Sequence, residues 1–194
     1  MKVLGEWRHL CVDMQRMFAE DTPWRMPWLE RISPQVLELA GRYPVSTIFT
    51  RFVPPQHIGD AQGRWHDYYE KWWMMTGTHL APEMVDIVPS LAALMPPARQ
   101  FDKRTYSPWV DGRLHAVLQS EGTSTLVITG GETDVCVLAT TLGAIDLGYR
   151  VLLLTDAVCS AADDTHEASL ELLGDRFSVQ LELMKTEDFL RLAA

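Results

Sequence analysis

The segment Thr125-Leu126-Val127-Ile128-Thr129-Gly130-Gly131-Glu132-Thr133-Asp134-Val135-Cys136-Val137-Leu138 decides how this chain folds. Its first half, apolar and β-branched, is the kind of short run that forms a strand buried on both faces. Gly130 and Gly131 stop that strand, and Thr133-Asp134 are residues of the type that caps a helix. From Val135 the periodicity becomes helical, with Leu138, Thr141, Leu142, Ile145 and Leu147 falling mostly on one face. Cys136 is thereby placed in the first turn of a helix that begins directly after a strand. Unpaired N–H groups and the helix dipole there favour a thiolate over a thiol. The same N–H groups can donate to the oxyanion of a carbonyl under attack. The alternative is a cysteine that only packs, since free Cys is among the most buried residue types.

Outward from this segment, strands and helices alternate. Residues 9–14 read as a strand ending in the carboxylate of Asp13. Residues 15–27 read as a loop, although Phe18 and Trp24 are large apolar residues that a loop has no local reason to carry. Ser33-Pro34 marks a helix start, Ser as N-cap and Pro at the first helical position, running to about residue 43. A second strand over 45–52 stops at Pro54-Pro55. Residues 57–84 are irregular and rich in Trp, Tyr and Met, with a helix around 67–76. Such length without strands is more often a lid or binding loop than filler. A third strand covers 99–103, and a helix over 114–120 is closed by Gly122. Beyond the Cys136 helix, which ends at Gly148, come a strand over 151–155, a helix over 163–173, a strand over 177–183 and a helix over 186–192.

Strands apolar on both faces, each followed by a helix, predict an α/β fold. It is a three-layer α/β/α arrangement around a mostly parallel, doubly wound six-stranded sheet. The whole chain, 1–194, reads as one domain, with 53–84 as an aromatic-rich insert or lid near the site. The composition is that of a globular protein, 47% hydrophobic and 22% charged. A net charge of −9 without any Lys/Arg run argues against a nucleic-acid surface. The three cysteines have neither disulfide nor zinc spacing. The start of the chain lacks the apolar core of a signal peptide and no run is long enough to span a bilayer, so a cytoplasmic protein with no membrane partner is expected.

In such a sheet, functional groups gather beyond the carboxyl ends of the strands. Asp13, Arg51 or Phe52, Lys103 and Cys136 all lie at or just past predicted strand ends. A thiol attacking a carbonyl needs a group to take its proton and deliver it to the leaving group. His79, His115 and His166 are poorly placed for this, whereas Asp13 beside a cationic Lys103 stays ionised and the lysine favours the thiolate. Taken without further support, Asp13 serves equally well as a loop cap and Lys103 as a solvated charge.

Three stretches carry a family resemblance: Leu10-Cys11-Val12-Asp13-Met14-Gln15 ahead of Phe18, Asp102-Lys103-Arg104-Thr105-Tyr106-Ser107, and Gly130-Gly131-Glu132-Thr133-Asp134-Val135-Cys136-Val137. In order and spacing they resemble the signature stretches of the isochorismatase-like cysteine hydrolases, which include nicotinamidases, N-carbamoylsarcosine amidase and ureidoacrylate amidases. The resemblance implies Asp13 as general acid/base, Lys103 as positioning cation and Cys136 as nucleophile. It also implies a non-proline cis peptide at Gly131–Glu132, which would aim the Glu132 N–H, together with that of Cys136, at the oxyanion. A homo-oligomer, dimer or tetramer, is implied as well. The expected reaction is hydrolysis of a C–N bond in a small amide, ureido or carbamoyl compound through a thioester, with neither cofactor nor metal. Two alternatives stand beside it: ether hydrolysis of an isochorismate-like acid, which does not need the cysteine, and a non-catalytic thiol sensor or scaffold.

The sequence departs from its relatives at three places. Nicotinamidases hold a metal with an Asp-x-His after the second strand and a further His; here Phe52 stands at the aspartate's place and only His57 remains, and one imidazole does not make a metal site. Glu132 stands where relatives often have a small or apolar residue. Its carboxylate either enters the pocket and favours a cationic or amino-bearing substrate, or it is solvated or paired with Arg51. Finally, Phe18, Trp24, Trp72, Trp73 and Tyr106 either wall a flat or apolar substrate or, for the tryptophans, pack a subunit interface.

Overall fold

The computed structural model describes residues 4–194. Six strands form one sheet: β1 (Trp7–Val12), β2 (Thr47–Phe52), β3 (Arg99–Lys103), β4 (Thr125–Gly131), β5 (Arg150–Cys159) and β6 (Leu181–Met184). All neighbouring pairs are parallel, in the order β3-β2-β1-β4-β5-β6. The chain therefore winds one way from β1 through β3 and the other way from β4 through β6. The reversal lies between β1 and β4, where the strands' carboxyl ends open a crevice.

Side chains alternate across this sheet with period two. Leu10, Val12, Leu126, Ile128, Val151 and Leu153 face one layer, while Cys11, Val127, Leu152 and Leu154 face the other. The first layer is covered by α5 (Arg113–Ser120), α6 (Leu138–Asp146) and α7 (Asp163–Arg176), through Leu114, Leu118, Ala144 and Leu173. The second is covered by α2 (Leu29–Arg42) and α8 (Thr186–Ala193), through Val36, Leu39 and Phe189. Three short helices complete the chain, α1 (Arg16–Ala19), α3 (Arg64–Lys71) and α4 (Pro89–Ala92). Among the described residues no helix is long and apolar enough to cross a membrane.

Most expected elements are present, and the differences have local causes. Helix α2 starts at Leu29, so Ser33 and Pro34 lie inside it rather than at its cap. Leu29 and Ile32 are buried on the same stripe as Val36 and Leu39, and that burial outweighs the proline's missing donor. Ser33 Oγ donates back to the Leu29 carbonyl at 2.8 Å. The expected loop over 15–27 contains α1, while residues 44–46 form a 3₁₀ turn ahead of β2. Strand β5 runs on to Cys159, past the polar pair Thr155-Asp156. A bulge there lets Asp156 accept hydrogen bonds from the N–H and hydroxyl of Thr186 at the start of α8, before Val158 rejoins β4. Residues 177–180 are turn, so β6 is shorter than expected.

Gly130 and Gly131 belong to β4 rather than ending it. Gly130 has φ +106°, and a Cβ there would sit 2.0 Å from the Val12 carbonyl oxygen. The close approach of β1 and β4 below the crevice thus requires glycine. Beneath it, the fully buried His9 bridges three strands, Nδ1 to Thr47 at 3.1 Å and Nε2 to Thr129 at 2.8 Å. Burial lowers its pKa to about 3, which keeps the ring neutral.

Candidate active site

Asp13 is the residue immediately after β1. It has φ +52°, in the left-handed region that side chains seldom adopt, and is fully buried. Its backbone is fixed by the N–H bond to the Thr50 carbonyl at 3.2 Å and its carboxylate by two partners. Thr50 Oγ1 donates to Oδ1 at 2.6 Å and Lys103 Nζ donates to Oδ2 at 2.7 Å. Lys103 ends β3, with its side chain 2% exposed. It also donates to the Thr105 carbonyl at 3.1 Å, and its ammonium lies 5.1 Å from the Phe52 ring centroid. Burial works against the lysine's charge, but Asp13 and the Cys136 sulfur outweigh it and hold Lys103 above the ordinary lysine range.

Cys136 lies in a π-turn, Thr133–Val137, that leads into α6. The Glu132 carbonyl receives the N–H groups of Val135 and Val137, the second closing the wider π ring at 2.9 Å. Neither Thr133 nor Asp134 caps this turn. Asp134 instead accepts hydrogen bonds from Ser160 and Thr165 and so ties the turn to the segment after β5. Cys136 lies close enough to Asp13 and Lys103 for both to act on the ionisation of its thiol. Three side chains from β1, β3 and the end of β4 thus meet where the sheet order reverses. The expected thiolate is not the resting form. Burial pushes the thiol up; Lys103 offsets part of this, and Asp13 and Glu132 add to it. The sulfur carries its proton beside a carboxylate able to take it.

Cys136 is 6% exposed and forms part of the floor of a pocket of about 310 Å³. Phe18, Trp24, Tyr106 and Glu132 line it as the sequence suggests, and so does Trp72. Trp24 is central to the wall: its ring centroid is 5.9 Å from Phe52, 6.0 Å from Tyr68 and 6.3 Å from Trp72 and from Phe18. Two expected residues are elsewhere. Arg51 makes a bidentate pair with Asp102 at 2.8 and 2.9 Å and reaches Asp86 at 3.1 Å, outside the pocket lining. As the second-to-last residue of β2 it points opposite to Phe52 and Thr50, away from the crevice. Trp73 is 48% exposed and packs its edge on His79.

Sequence reasoning missed Thr50, Phe52 as a pocket wall, and Tyr68. The period-two pattern placing Thr50 and Phe52 on the face opposite Arg51 could have found the first two. Spacing of four from Trp72 on a helix could have found Tyr68. The cis peptide at Gly131–Glu132 is present. The metal-binding variant of this site does not fit here. Phe52 lines the pocket where a ligand would have to stand, and the His57 ring is engaged by Thr78 Oγ1 at 2.9 Å on the exposed surface. His66, Asp67 and Glu70 gather on α3, but none of them lines the pocket.

The Glu132 carboxyl accepts a bond from the Ala161 N–H. Burial, with Asp134 and Asp13 nearby, raises it to about 7 against an ordinary 4.5. A carboxyl raised on folding binds its proton more tightly in the folded state. Its contribution to stability is therefore complete below about pH 4.5 and lost as pH rises through about 7. Glu132→Gln removes that loss. The variant is expected to gain stability over the parent on going from pH 5 to pH 8, by on the order of 2–3 kcal/mol. Paired denaturant melts at the two pH values check this, and a gap that stays constant contradicts it.

Comparison with known proteins agrees with this fold. The family model for the isochorismatase domain matches residues 9–185. A protein of Arabidopsis thaliana called a probable inactive nicotinamidase is 28% identical over 176 residues, covering 84% of this chain and 87% of that one. Among solved structures, a cysteine hydrolase from Pseudomonas syringae pv. phaseolicola superposes with a TM-score of 0.84 at 23% identity, over 99% of this chain and 93% of that one. The N-carbamoylsarcosine amidase of Thermoplasma acidophilum superposes with a TM-score of 0.73 at 16% identity, over 94% and 97% of the two chains. The structural likenesses establish the shared fold, and the family match over most of the chain makes this protein a member of the isochorismatase family of hydrolases.

Proposed function

We propose that the protein is a metal-independent cysteine amidohydrolase that cleaves a C–N bond in a small amide, ureido or carbamoyl compound through a thioester. The observation that carries this reading is the buried Asp13–Lys103 pair beside Cys136, whose side chain lines the pocket. As substrate binds, Asp13 takes the thiol proton and the sulfur bonds to the carbonyl carbon. Lys103 keeps Asp13 oriented and offsets the negative charge appearing on sulfur. The N–H groups of Glu132 and Cys136 receive the oxyanion. Collapse breaks the C–N bond, and the departing nitrogen takes the proton from Asp13. Water then adds to the thioester and gives a proton to Asp13. The C–S bond breaks, an acid leaves, and the proton returns to sulfur. The net reaction consumes one water per amide.

The non-catalytic reading has support in the word "inactive" attached to the Arabidopsis relative. The full trio in this chain favours turnover instead. The test is a panel of small amides, ureas and carbamoyl acids scored by released ammonia or amine, with intact-mass measurement on quenched samples. A mass increase equal to the acyl group, mapped to Cys136, is expected. Oxygen or disulfide adducts alone, with no release from any compound, would support a sensor and sink the hydrolase.

A further inference from the structure

The Glu132 carboxyl lines the same pocket as Cys136, together with several aromatic rings. Phe18, Trp24, Phe52, Tyr68, Trp72 and Tyr106 line that space. Trp24 sits near the middle of them, its indole N–H buried without a protein acceptor. A carboxylate taken out of water ordinarily has a cation beside it, because an unpaired buried charge is costly. Glu132 has none. Among the described residues no Lys, Arg or His forms an ion pair with it, and several acids lie near it: Asp134, Asp13, Tyr68, Tyr106, Cys136 and Cys159. The guanidinium of Arg51 points away from the crevice and is taken by Asp102 and Asp86. Arg25 also lines the pocket, is exposed and forms no ion pair with Glu132.

Aromatic faces attract cations through their quadrupoles, and walls of several rings are the known means of holding methylated ammonium groups. Rings together with one uncompensated carboxylate therefore describe a receptor that is complete except for its positive charge. Ala161, whose N–H acts on the carboxyl, lines the same pocket. We infer that the substrate carries a cationic nitrogen, an amine or methylated ammonium, seated against Glu132 within the aromatic wall, with its carbonyl over Cys136. The inference rests on the amidohydrolase reading for the carbonyl's position, but the cation site stands or falls by itself.

Two isosteric amides separate the possibilities, trimethylammonio-acetamide and its neutral carbon analogue tert-butylacetamide. Binding is followed by intrinsic tryptophan fluorescence in the Cys136→Ala protein, where no turnover interferes, and repeated with Glu132→Gln added. The cation is expected to bind about tenfold or more tightly than the neutral analogue. Glu132→Gln should bring the two within about threefold, through loss of cation affinity rather than gain of neutral affinity. Equal binding of both amides, no binding of the cation, or a preference that survives Glu132→Gln overturns the inference. Ammonia release by the parent protein tests the other reading separately. Binding preference without release from either amide would leave the cation site and remove the hydrolase. Release from the neutral amide with equal efficiency would do the reverse.

Discussion

Cys136→Ala is expected to abolish C–N hydrolysis, lowering kcat by about four orders of magnitude or more, while substrate binding and fold persist. The argument is chemical. In the proposed course every bond change at the carbonyl passes through the sulfur, and the methyl group left behind can neither attack nor leave. Asp13 and Lys103 remain paired in the variant, so a water held by Asp13 is the best residual nucleophile, and it lacks the thiol's reactivity. Removing one buried sulfur costs about 1 kcal/mol of stability, small beside the catalytic loss. The check is ammonia release at saturating substrate alongside a thermal melt. Turnover retained within tenfold of the parent would end the thioester proposal and favour ether-type hydrolysis, in which the carboxylate alone suffices.

The second large effect concerns Lys103. Lys103→Met keeps the side chain's length and removes its charge, leaving Asp13 buried against Thr50 with no cation. Breaking a buried pair from one side costs about 3–5 kcal/mol, a large part of the stability of an ordinary domain. Adding Asp13→Asn removes the orphaned charge and is expected to recover about half or more of that loss, since a neutral pair of similar shape is tolerated. Activity does not follow stability: Lys103→Met, Asp13→Asn and the double variant should all lose about 10²–10⁴-fold in kcat, because no carboxylate–ammonium pair remains to move the proton. Urea unfolding of the four proteins forms a double-mutant cycle. Additive stability losses would mean that the pair, though in contact, contributes nothing through its coupling.

The trio was legible because its members lie at or just past the ends of strands, and strands of this kind are among the clearest signals in a sequence. Third-strand residues 99–103 and the run from Thr125 were read at the positions they occupy. Less legible was anything decided by contacts across long separations. Ser33-Pro34 imitates a helix start, and only the burial of Leu29 and Ile32 against the sheet shows that α2 is already under way. Asp156 reads as a strand breaker until its hydrogen bonds to Thr186 are known. Arg51 was assigned to the pocket because it ends a strand; its direction depends on which parity of β2 faces the crevice, and Asp102 beside it on β3 settles that. The protonation of the sulfur follows the same rule. Proximity to a helix start is visible in a sequence, whereas depth of burial is not, and here depth prevails.

Four of the rings around the cavity, Phe18, Trp24, Tyr68 and Trp72, belong to α1, α3 and the connections beside them, none of which supplies a reacting atom. The sulfur, the carboxylate and the ammonium sit instead at or just past the carboxyl ends of β4, β1 and β3. A change of ring on the outer segments can therefore alter which molecules are admitted without disturbing the bond-making apparatus. Loss of such a ring should show first in KM. The sheet holds the chemistry constant while its cover is free to change diet.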